Sequence, residues 1–265
     1  HRSGLPRHDL VWYGTSASRR ELFDRLQYLE PSKDFRTVFQ YQNLMFMAAG
    51  HLVGELTGST WEAFTKARIL DPLGMASTNF SVEESKKSPN AALPYLEINE
   101  KIQEVPFRNL DAVGPAGSIN SNVVDMIEWV RLHLNKGQCN GRQIISEANL
   151  SQMHAPQMVM QQMVDALAAF MHYDEMGHCS YGLGWFIQTY RGHVLIHHGG
   201  SIDGFLAMVS FMPRENMGMV GLNNLVGNPL PMIATLNAYD RLLGLDPLPC
   251  IERIKEQTAK AKENQ

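Results

Sequence analysis

Cysteines and long apolar runs are both scarce in this sequence, and each shortage excludes a class of protein. The 265 residues include three cysteines, Cys139, Cys179 and Cys250. An odd number at wide spacing excludes a complete disulfide framework and does not fit a zinc ribbon, although one disulfide stays open. No run approaches the roughly 18–20 apolar residues that a membrane-spanning helix needs, so we expect no membrane span in this chain.

Excess positive charge and nucleotide-binding loops are also missing. Lys and Arg number 23 against 27 Asp and Glu, which gives a net charge of -4. Without a basic stripe, we expect no nucleic-acid partner. The sequence has no G-x-S-x-G elbow, no Walker loop and no dinucleotide-type glycine loop. These absences argue against an α/β-hydrolase, a P-loop enzyme and a Rossmann enzyme, and we expect no cofactor.

The ten histidines raise the question of a metal site. Several candidate ligands are close in sequence: His172, His178, Cys179, His193, His197 and His198. However, there is no H-E-x-x-H and no C-x-x-C motif. Neighbouring residues on a strand point to opposite faces, so His197 and His198 cannot easily share one ion. We therefore predict no metal site.

Apolar periodicity predicts helices in the first part of the chain. The predicted features are a helix from Ser18 to Leu29, a helix from Leu44 to Leu56 stopped by Gly58, and a capping box of Ser59 and Glu62. The capping box predicts the start of a helix that ends before Asp71-Pro72. A further helix is predicted over Val123–Leu134, with Ser121 or Asn122 as its N-cap. The stretch 80–108 reads as a polar loop, and the Met-rich stretch 158–171 as a helix.

Strand patterns dominate after residue 180. Tyr181–Thr189 and His193–His198 read as one pair of strands, and Phe205–Met212 and Met217–Leu222 as a second hairpin. A helix from about Pro229 to Leu243 and a charged, exposed helix or linker follow. The order predicts an α+β fold, an antiparallel sheet flanked by helices with a mostly helical region. We expect one domain with a helical region over 1–179, strands and a helix over 180–245, and a tail over 246–265.

Two short motifs carry residues suited to catalysis. Tyr41 and Asn43, two apart at a helix start, can project into one cleft, where a phenol near a cation becomes a better base and an amide binds a substrate amide. A helix cap beside a core aromatic explains the same letters equally well.

The second motif is His197-His198-Gly199-Gly200-Ser201, between two predicted strands. Its glycines allow close backbone approach, and its N–H groups can bind an oxyanion. A glycine-rich hairpin with surface histidines is the plain alternative.

Taken in order, these pieces resemble the class C β-lactamase and penicillin-binding-protein-like serine hydrolases. The opening HRSGLPRHD looks like the family's T-H-T-S-G-L loop. The stretch from Phe39 to Phe80 resembles the central signature that starts with Y-x-N and contains I-L-D-P-L-G-M. Gly114 to Asp125 resembles the P-A-G-x-x-S segment, and His198 to Gly200 is similar to the H-x-G motif. Each motif is weak alone, but the ordered set is specific.

The resemblance implies a mechanism in which a serine attacks a carbonyl and a lysine three residues later activates it. It implies that Tyr41 assists proton transfer and that Asn43 holds substrate and lysine. It also implies that His198, Gly199 and Gly200 line the cleft, and that the backbone N–H of Ser201 forms half of the oxyanion hole.

The sequence departs from the family pattern at its most important motif. None of the nine lysines follows a serine or threonine by three residues. We therefore expect the S-x-x-K motif to precede His1, with the first part of the fold, and this chain alone to lack acylation activity. His1 is not an initiator methionine and no signal peptide is visible; the resemblance alone suggests export.

Since H-x-G replaces K-T-G, we rank ester, amide or D-peptide hydrolysis above authentic β-lactam hydrolysis. The substrate is expected to be a small ester, peptide or β-lactam-like molecule. A non-catalytic relative that binds peptide or cell-wall fragments stays the alternative, and the oligomeric state stays open.

Overall fold

A computed structural model describes residues 1–160 and 175–263 of the chain. Its helices come mainly before its large sheet. The helices are α1 (Asp9–Trp12), α2 (Arg19–Arg25), α3 (Asn43–Thr57), α4 (Trp61–Thr65), α5 (Asp71–Leu73), α6 (Val82–Ser85), α7 (Gly114–Gly117), α8 (Val123–Leu134), α9 (Glu147–Met153), α10 (Leu230–Leu242) and α11 (Cys250–Glu263), with 3₁₀ turns at Leu26–Tyr28 and Asp111–Val113 and a π-helical stretch at Lys66–Leu70.

The strands form one large antiparallel sheet and two small hairpins. They are β1 (Tyr95–Ile98), β2 (Lys101–Glu104), β3 (Gln138–Cys139), β4 (Arg142–Gln143), β5 (Met158–Val159), β6 (Met176–Tyr181), β7 (Phe186–Tyr190), β8 (His193–Ile202), β9 (Phe205–Met212) and β10 (Met217–Asn223). The large sheet has the order β10-β9-β8-β7-β6-β5. This antiparallel sheet with flanking helices confirms the predicted fold class.

Each face of the sheet is buried against a helix. On one face, Leu236 and Tyr239 of α10 pack against Tyr190, Leu195 and Met212, and all five are essentially inaccessible to solvent. A second cluster joins α8 to the sheet through Val130, Trp185, Ile196 and Phe211. Because alternate residues of β8 and β9 enter opposite clusters, the strand register is fixed by burial.

The helical region is organised around α3, which carries one of the predicted motifs at its first turn. Leu44 and Met47 are completely buried and pack against Leu22 of α2 and Val113. Gly58 ends α3 in the left-handed conformation (φ 62°), as the sequence predicts, because glycine takes that conformation without steric cost.

Two predicted helix boundaries in this region are wrong. The N-cap of α4 is Thr60, whose hydroxyl accepts the Ala63 N–H at 3.1 Å, so Ser59 forms no capping box. Glu62 is instead ion-paired with Arg19. The helix also continues past Asp71-Pro72, because the chain widens into π-helical geometry before it and places the proline in the first turn of α5, where no N–H is needed.

Three further predictions need correction. The polar stretch 80–108 contains α6 and the β1–β2 hairpin. Tyr181–Thr189 is not one strand, since Tyr181 ends β6 and the chain turns before β7 begins. The predicted helix over 158–171 starts instead as strand β5, Met160 belongs to no helix or strand, and the remainder from residue 161 lies outside the described residues. Among the described residues, no helix is both long and apolar enough to cross a membrane.

Candidate functional site

The second half of β8 presents an unpaired edge. Strand β7 pairs with β8 only as far as His197, through the pair Phe186–His197. From His198 to Ile202 the strand is paired with β9 on its other side. Within residues 1–160 and 175–263, no strand covers the free edge of this segment. Its backbone groups on that edge are therefore available to an extended ligand, as in strand-addition binding.

Gly199 and Gly200 are not required by the chain's own geometry. Neither has a positive φ. A Cβ placed on either would meet Ala207 at 3.6 Å, an ordinary van der Waals distance. Packing against the described residues therefore does not demand glycine there. The missing side chains leave space above the strand, which a ligand lying against the backbone would use.

Tyr41-Gln42-Asn43 lies at the entry to α3, and the middle residue holds it in place. Gln42 is fully buried. Its side-chain oxygen accepts the Leu44 N–H at 3.0 Å, which caps the helix, and its amide nitrogen donates to the Pro6 carbonyl at 2.6 Å. Its backbone N–H donates to Nδ1 of His1 at 2.9 Å. This buried residue fixes the backbone from which Tyr41 and Asn43 project.

Tyr41 lies in a cluster of rings that reaches the β8 edge. Its ring centroid is 4.0 Å from that of His1 and 6.3 Å from that of His198. The Arg7 guanidinium lies 5.0 Å from the ring centroid. Burial raises the pKa of Tyr41, and Arg7 opposes this shift only in part. A cation is therefore present beside Tyr41, but its effect is smaller than that of burial, and the pKa of the phenol stays above its ordinary value.

Asn43, the other predicted catalytic residue of this motif, faces a carboxylate. Its Nδ2 is 3.4 Å from Oδ1 of Asp9. Asp9 is also ion-paired with Arg7 and accepts the indole N–H of Trp12 at 3.1 Å. Asp9 and Arg7 thus link Asn43 to Tyr41. The geometry brings these two residues and His198 to one region, as the sequence predicts.

His198 is held by two hydrogen bonds that define its proton arrangement. Its Nδ1 is 2.7 Å from the Gly199 carbonyl oxygen, and its Nε2 is 3.1 Å from the Tyr181 hydroxyl. A carbonyl only accepts, so Nδ1 carries a proton; Nε2 accepts from the Tyr181 hydroxyl when the ring is neutral and donates to it when the ring is protonated. Burial lowers the pKa of His198. The neutral ring differs from the titratable positive charge that the sequence suggests at this position.

His197 points into the opposite side of the strand. Its Nε2 is 3.1 Å from the side-chain oxygen of Gln188, and its ring stacks on Phe186 with centroids 5.4 Å apart. Burial lowers its pKa to about 4. In the part of the chain that the structure describes, no group of three His, Cys, Asp or Glu could hold a metal ion, and His172 lies outside that part.

Ser201 is exposed on β8, where it pairs with Leu206 of β9. Its predicted oxyanion role would use the backbone N–H, and this assignment stays a prediction.

Sequence reasoning missed three residues that shape this site: Tyr181, Gln42 and His1. Tyr181 read only as the start of a strand. Gln42 occupies the variable middle position of the Y-x-N motif, to which the motif assigns no role. His1 begins the HRSGLPRHD stretch, which the sequence predicts only as a loop.

The site lies along the unpaired His198–Ile202 edge of β8 beside Tyr41, and this surface is called the groove below. A cavity of about 380 Å³ lies elsewhere, around the β3–β4 hairpin and Leu134, and is lined by none of the site residues. It contains no histidine or carboxylate, so we assign no chemistry to it. A second cavity, of about 30 Å³, adjoins the β8–β9 turn through Ile202 and Asp203 and has room for about one water molecule.

Comparison with known proteins identifies the family of this chain. A family model described as Beta-lactamase matches residues 1–241. This chain belongs to the Beta-lactamase family. A curated relative, Unguisins hydrolase ungD' of Aspergillus campestris (strain IBT 28561), is 29% identical over 227 residues, covering 83% of this chain and 40% of the relative. The chain thus spans less than half the length of that relative.

Solved structures share the fold. The octameric penicillin-binding protein homologue from Pyrococcus abyssi superposes with a TM-score of 0.80 at 22% identity, covering 94% of this chain and 55% of the other. The D-amino acid amidase from Ochrobactrum anthropi SV3, complexed with L-phenylalanine, gives a TM-score of 0.65 at 19% identity, covering 86% and 63%. At these identities the likeness shows the fold, which class C β-lactamases also have.

Proposed function

We propose that this chain forms the substrate-binding part of a serine hydrolase that cleaves amide or ester bonds through an acyl-enzyme. The observation that carries the proposal is the convergence of Tyr41, Asn43 and the unpaired His198–Ser201 edge at one groove. Family membership and the hydrolase and amidase names among its relatives support the same reaction class.

In the proposed reaction, a serine attacks the substrate carbonyl and the Ser201 N–H stabilises the oxyanion that develops. Tyr41 relays the proton towards the leaving group. Its pKa is raised by burial, so it requires an added cation near its hydroxyl before it can act as a base. A lysine three residues after the serine would supply that cation. Because no such pair exists in this sequence, the proposal places serine and lysine on a segment outside this chain.

A matched pair of proteins tests this proposal. One protein is this chain, and the other is the same chain joined to a segment with S-x-x-K from its own gene. Both are incubated with a fluorophosphonate probe, and their intact masses are measured by mass spectrometry. We expect an adduct only in the longer protein, on the added serine. Tyr41→Phe should slow labelling about 100-fold, the ordinary effect of removing a general acid or base. Tyr28→Phe, which alters a tyrosine that is 76% exposed, is the control.

A binding protein without chemistry is the second candidate, favoured by the missing S-x-x-K motif. Failure of the longer protein to label, with intact folding, would select this candidate. Export and the division into segments 1–179, 180–245 and 246–265 stay proposals.

A further inference from the structure

His198 and Tyr181 together determine what the groove can offer to a ligand. Both ring nitrogens of His198 are occupied, Nδ1 by the Gly199 carbonyl at 2.7 Å and Nε2 by the Tyr181 hydroxyl at 3.1 Å. Tyr181 is only 3% exposed, so its hydroxyl cannot easily turn away to solvent. The accessible part of His198 is a neutral ring with no free N–H group.

The groups around His198 do not restore a positive charge there. The rings that contact it belong to Tyr41, Tyr181 and Phe186. The other titratable neighbour, His197, is on the far side of the strand and bonded to Gln188. Burial lowers the pKa of both histidines, and a charge on one disfavours a charge on the other.

Two arginines near the groove in the described part of the chain, Arg7 and Arg108, are already ion-paired with carboxylates. Arg7, near Tyr41, is ion-paired with Asp9. Arg108 is bonded to Asp203, on the turn just after β8, with Nε 2.6 Å from Oδ2. The same carboxylate also accepts the Tyr13 hydroxyl at 2.7 Å. A ligand carboxylate brought to the β8 edge would therefore lose its hydration without gaining a charged partner, which is unfavourable.

We propose that Tyr181 acts as a specificity-determining residue that occupies Nε2 of His198, so that the groove offers no free imidazole N–H to a ligand carboxylate and selects substrates without a free carboxylate beside the scissile bond. The inference rests on the proposed function and names its substrate class: amides, esters and internal peptide bonds. Acyl dipeptides that end in a free carboxylate would be poor ligands.

Binding and NMR measurements on the full chain test this proposal. The probes are an N-acetylated D,D-dipeptide with a free carboxylate and the same dipeptide as its carboxamide, each titrated by calorimetry at pH 7. We expect the carboxamide to bind about tenfold more tightly, since the carboxylate lacks one charge-assisted hydrogen bond. Nitrogen NMR of the imidazoles should show His198 neutral, with the proton on Nδ1. A charged His198, or equal or tighter binding of the carboxylate, would overturn the inference.

Two variants and a control complete the design. Tyr181→Phe frees Nε2 of His198 and should reduce the tenfold preference for the carboxamide over the carboxylate. It should also raise the pH at which His198 titrates. His198→Lys places a fixed charge there and should reverse the preference; an unchanged ratio in this variant contradicts the proposal even if Tyr181→Phe fails to fold. Tyr190→Phe, a buried tyrosine of β7 bonded to Asp240, should leave the preference unchanged.

The outcomes separate this inference from the proposed function. Labelling of the longer protein together with a preference for carboxylates would refute the inference alone. The predicted preference without labelling would refute the hydrolase alone. Absence of binding for both dipeptides would refute the inference. The labelling experiment alone would then decide whether the protein is a serine hydrolase.

Discussion

The buried His133 and the half-buried His154 should make the fold lose stability in mild acid. Nδ1 of His133 is 2.8 Å from Nε2 of His154, so one proton lies between the two rings. His133 is 4% exposed and is surrounded by Trp129, Trp185 and Phe211, whose ring centroids lie 4.4, 4.9 and 5.1 Å away. Burial lowers the pKa of both histidines, and the neighbouring His154 lowers the pKa of His133 further.

The sign and size of the effect follow from proton linkage. An unfolded histidine has a pKa of about 6.5, whereas these two remain neutral in the folded state well below that pH. Between the two values the unfolded state binds more protons, so stability falls as pH is lowered. Each histidine contributes about 1.4 kcal/mol per pH unit, or about 2 kcal/mol between pH 6.5 and 5. The pair can therefore remove about 4 kcal/mol from a typical stability of about 5–15 kcal/mol.

Urea unfolding at pH 7.5 and 5.0 measures this loss. His154→Gln removes one titrating group and should shrink the pH-dependent loss by about 2 kcal/mol, even if the variant is less stable at both pH values. His178→Gln replaces an exposed histidine on β6 and should leave the loss as in the parent. An equal loss in His154→Gln and the parent would refute the linkage argument.

Three other substitutions test packing and polar contacts. Asp240→Ala should lower the free energy of unfolding by about 3 kcal/mol, as measured by denaturant titration. The carboxylate of Asp240 is fully buried and contacts Tyr190 at 2.8 Å and Arg191 at 2.9 Å, and both partners lose it in the variant. Ser118→Ala should change stability by less than about 0.5 kcal/mol, since its buried hydroxyl has no partner among the described residues. Gly204→Ala should destabilise the β8–β9 turn by more than about 1 kcal/mol, because φ is 79° and a Cβ would overlap a neighbouring proline; thermal unfolding checks it.

Periodicity and end signals were enough to predict several elements of this fold. The α3 helix and its Gly58 stop, the Asn122 cap of α8, and the β9–β10 hairpin were all predictable. Each is specified by local chemistry, either an apolar stripe with a terminating residue or two apolar runs around a tight turn.

The misses have non-local causes. Glu62 fits a capping box with Ser59 by spacing alone, but Arg19, 43 residues earlier, takes its carboxylate. In the β1–β2 hairpin, β2 is exposed along its whole length and β1 is only partly buried, so burial gives the hairpin no strong strand pattern. The hairpin is attached next to the end of β10, where the Tyr95 N–H donates to the Asn224 carbonyl.

The sequence motifs predict which residues of the candidate site lie near one another, but they do not predict which nitrogens of His198 carry protons. Tyr41, Asn43 and His198 were predicted from the order of short sequence motifs along the chain, and the structure brings the three residues to one region. The tautomer of His198 depends on the Gly199 carbonyl, and its Nε2 is occupied by the Tyr181 hydroxyl, which is 17 residues away in sequence. A sequence pattern does not encode which nitrogen of a histidine carries its proton, because partners distant in the chain decide that.

Intact-mass analysis after fluorophosphonate treatment tests the central claim most directly. The account predicts no adduct on this chain, and one adduct on the serine of an S-x-x-K segment when that segment is joined to it. An adduct on any serine of this chain would contradict the placement of the nucleophile outside it. A folded longer protein that remains unlabelled would contradict the assignment of this groove to a serine hydrolase.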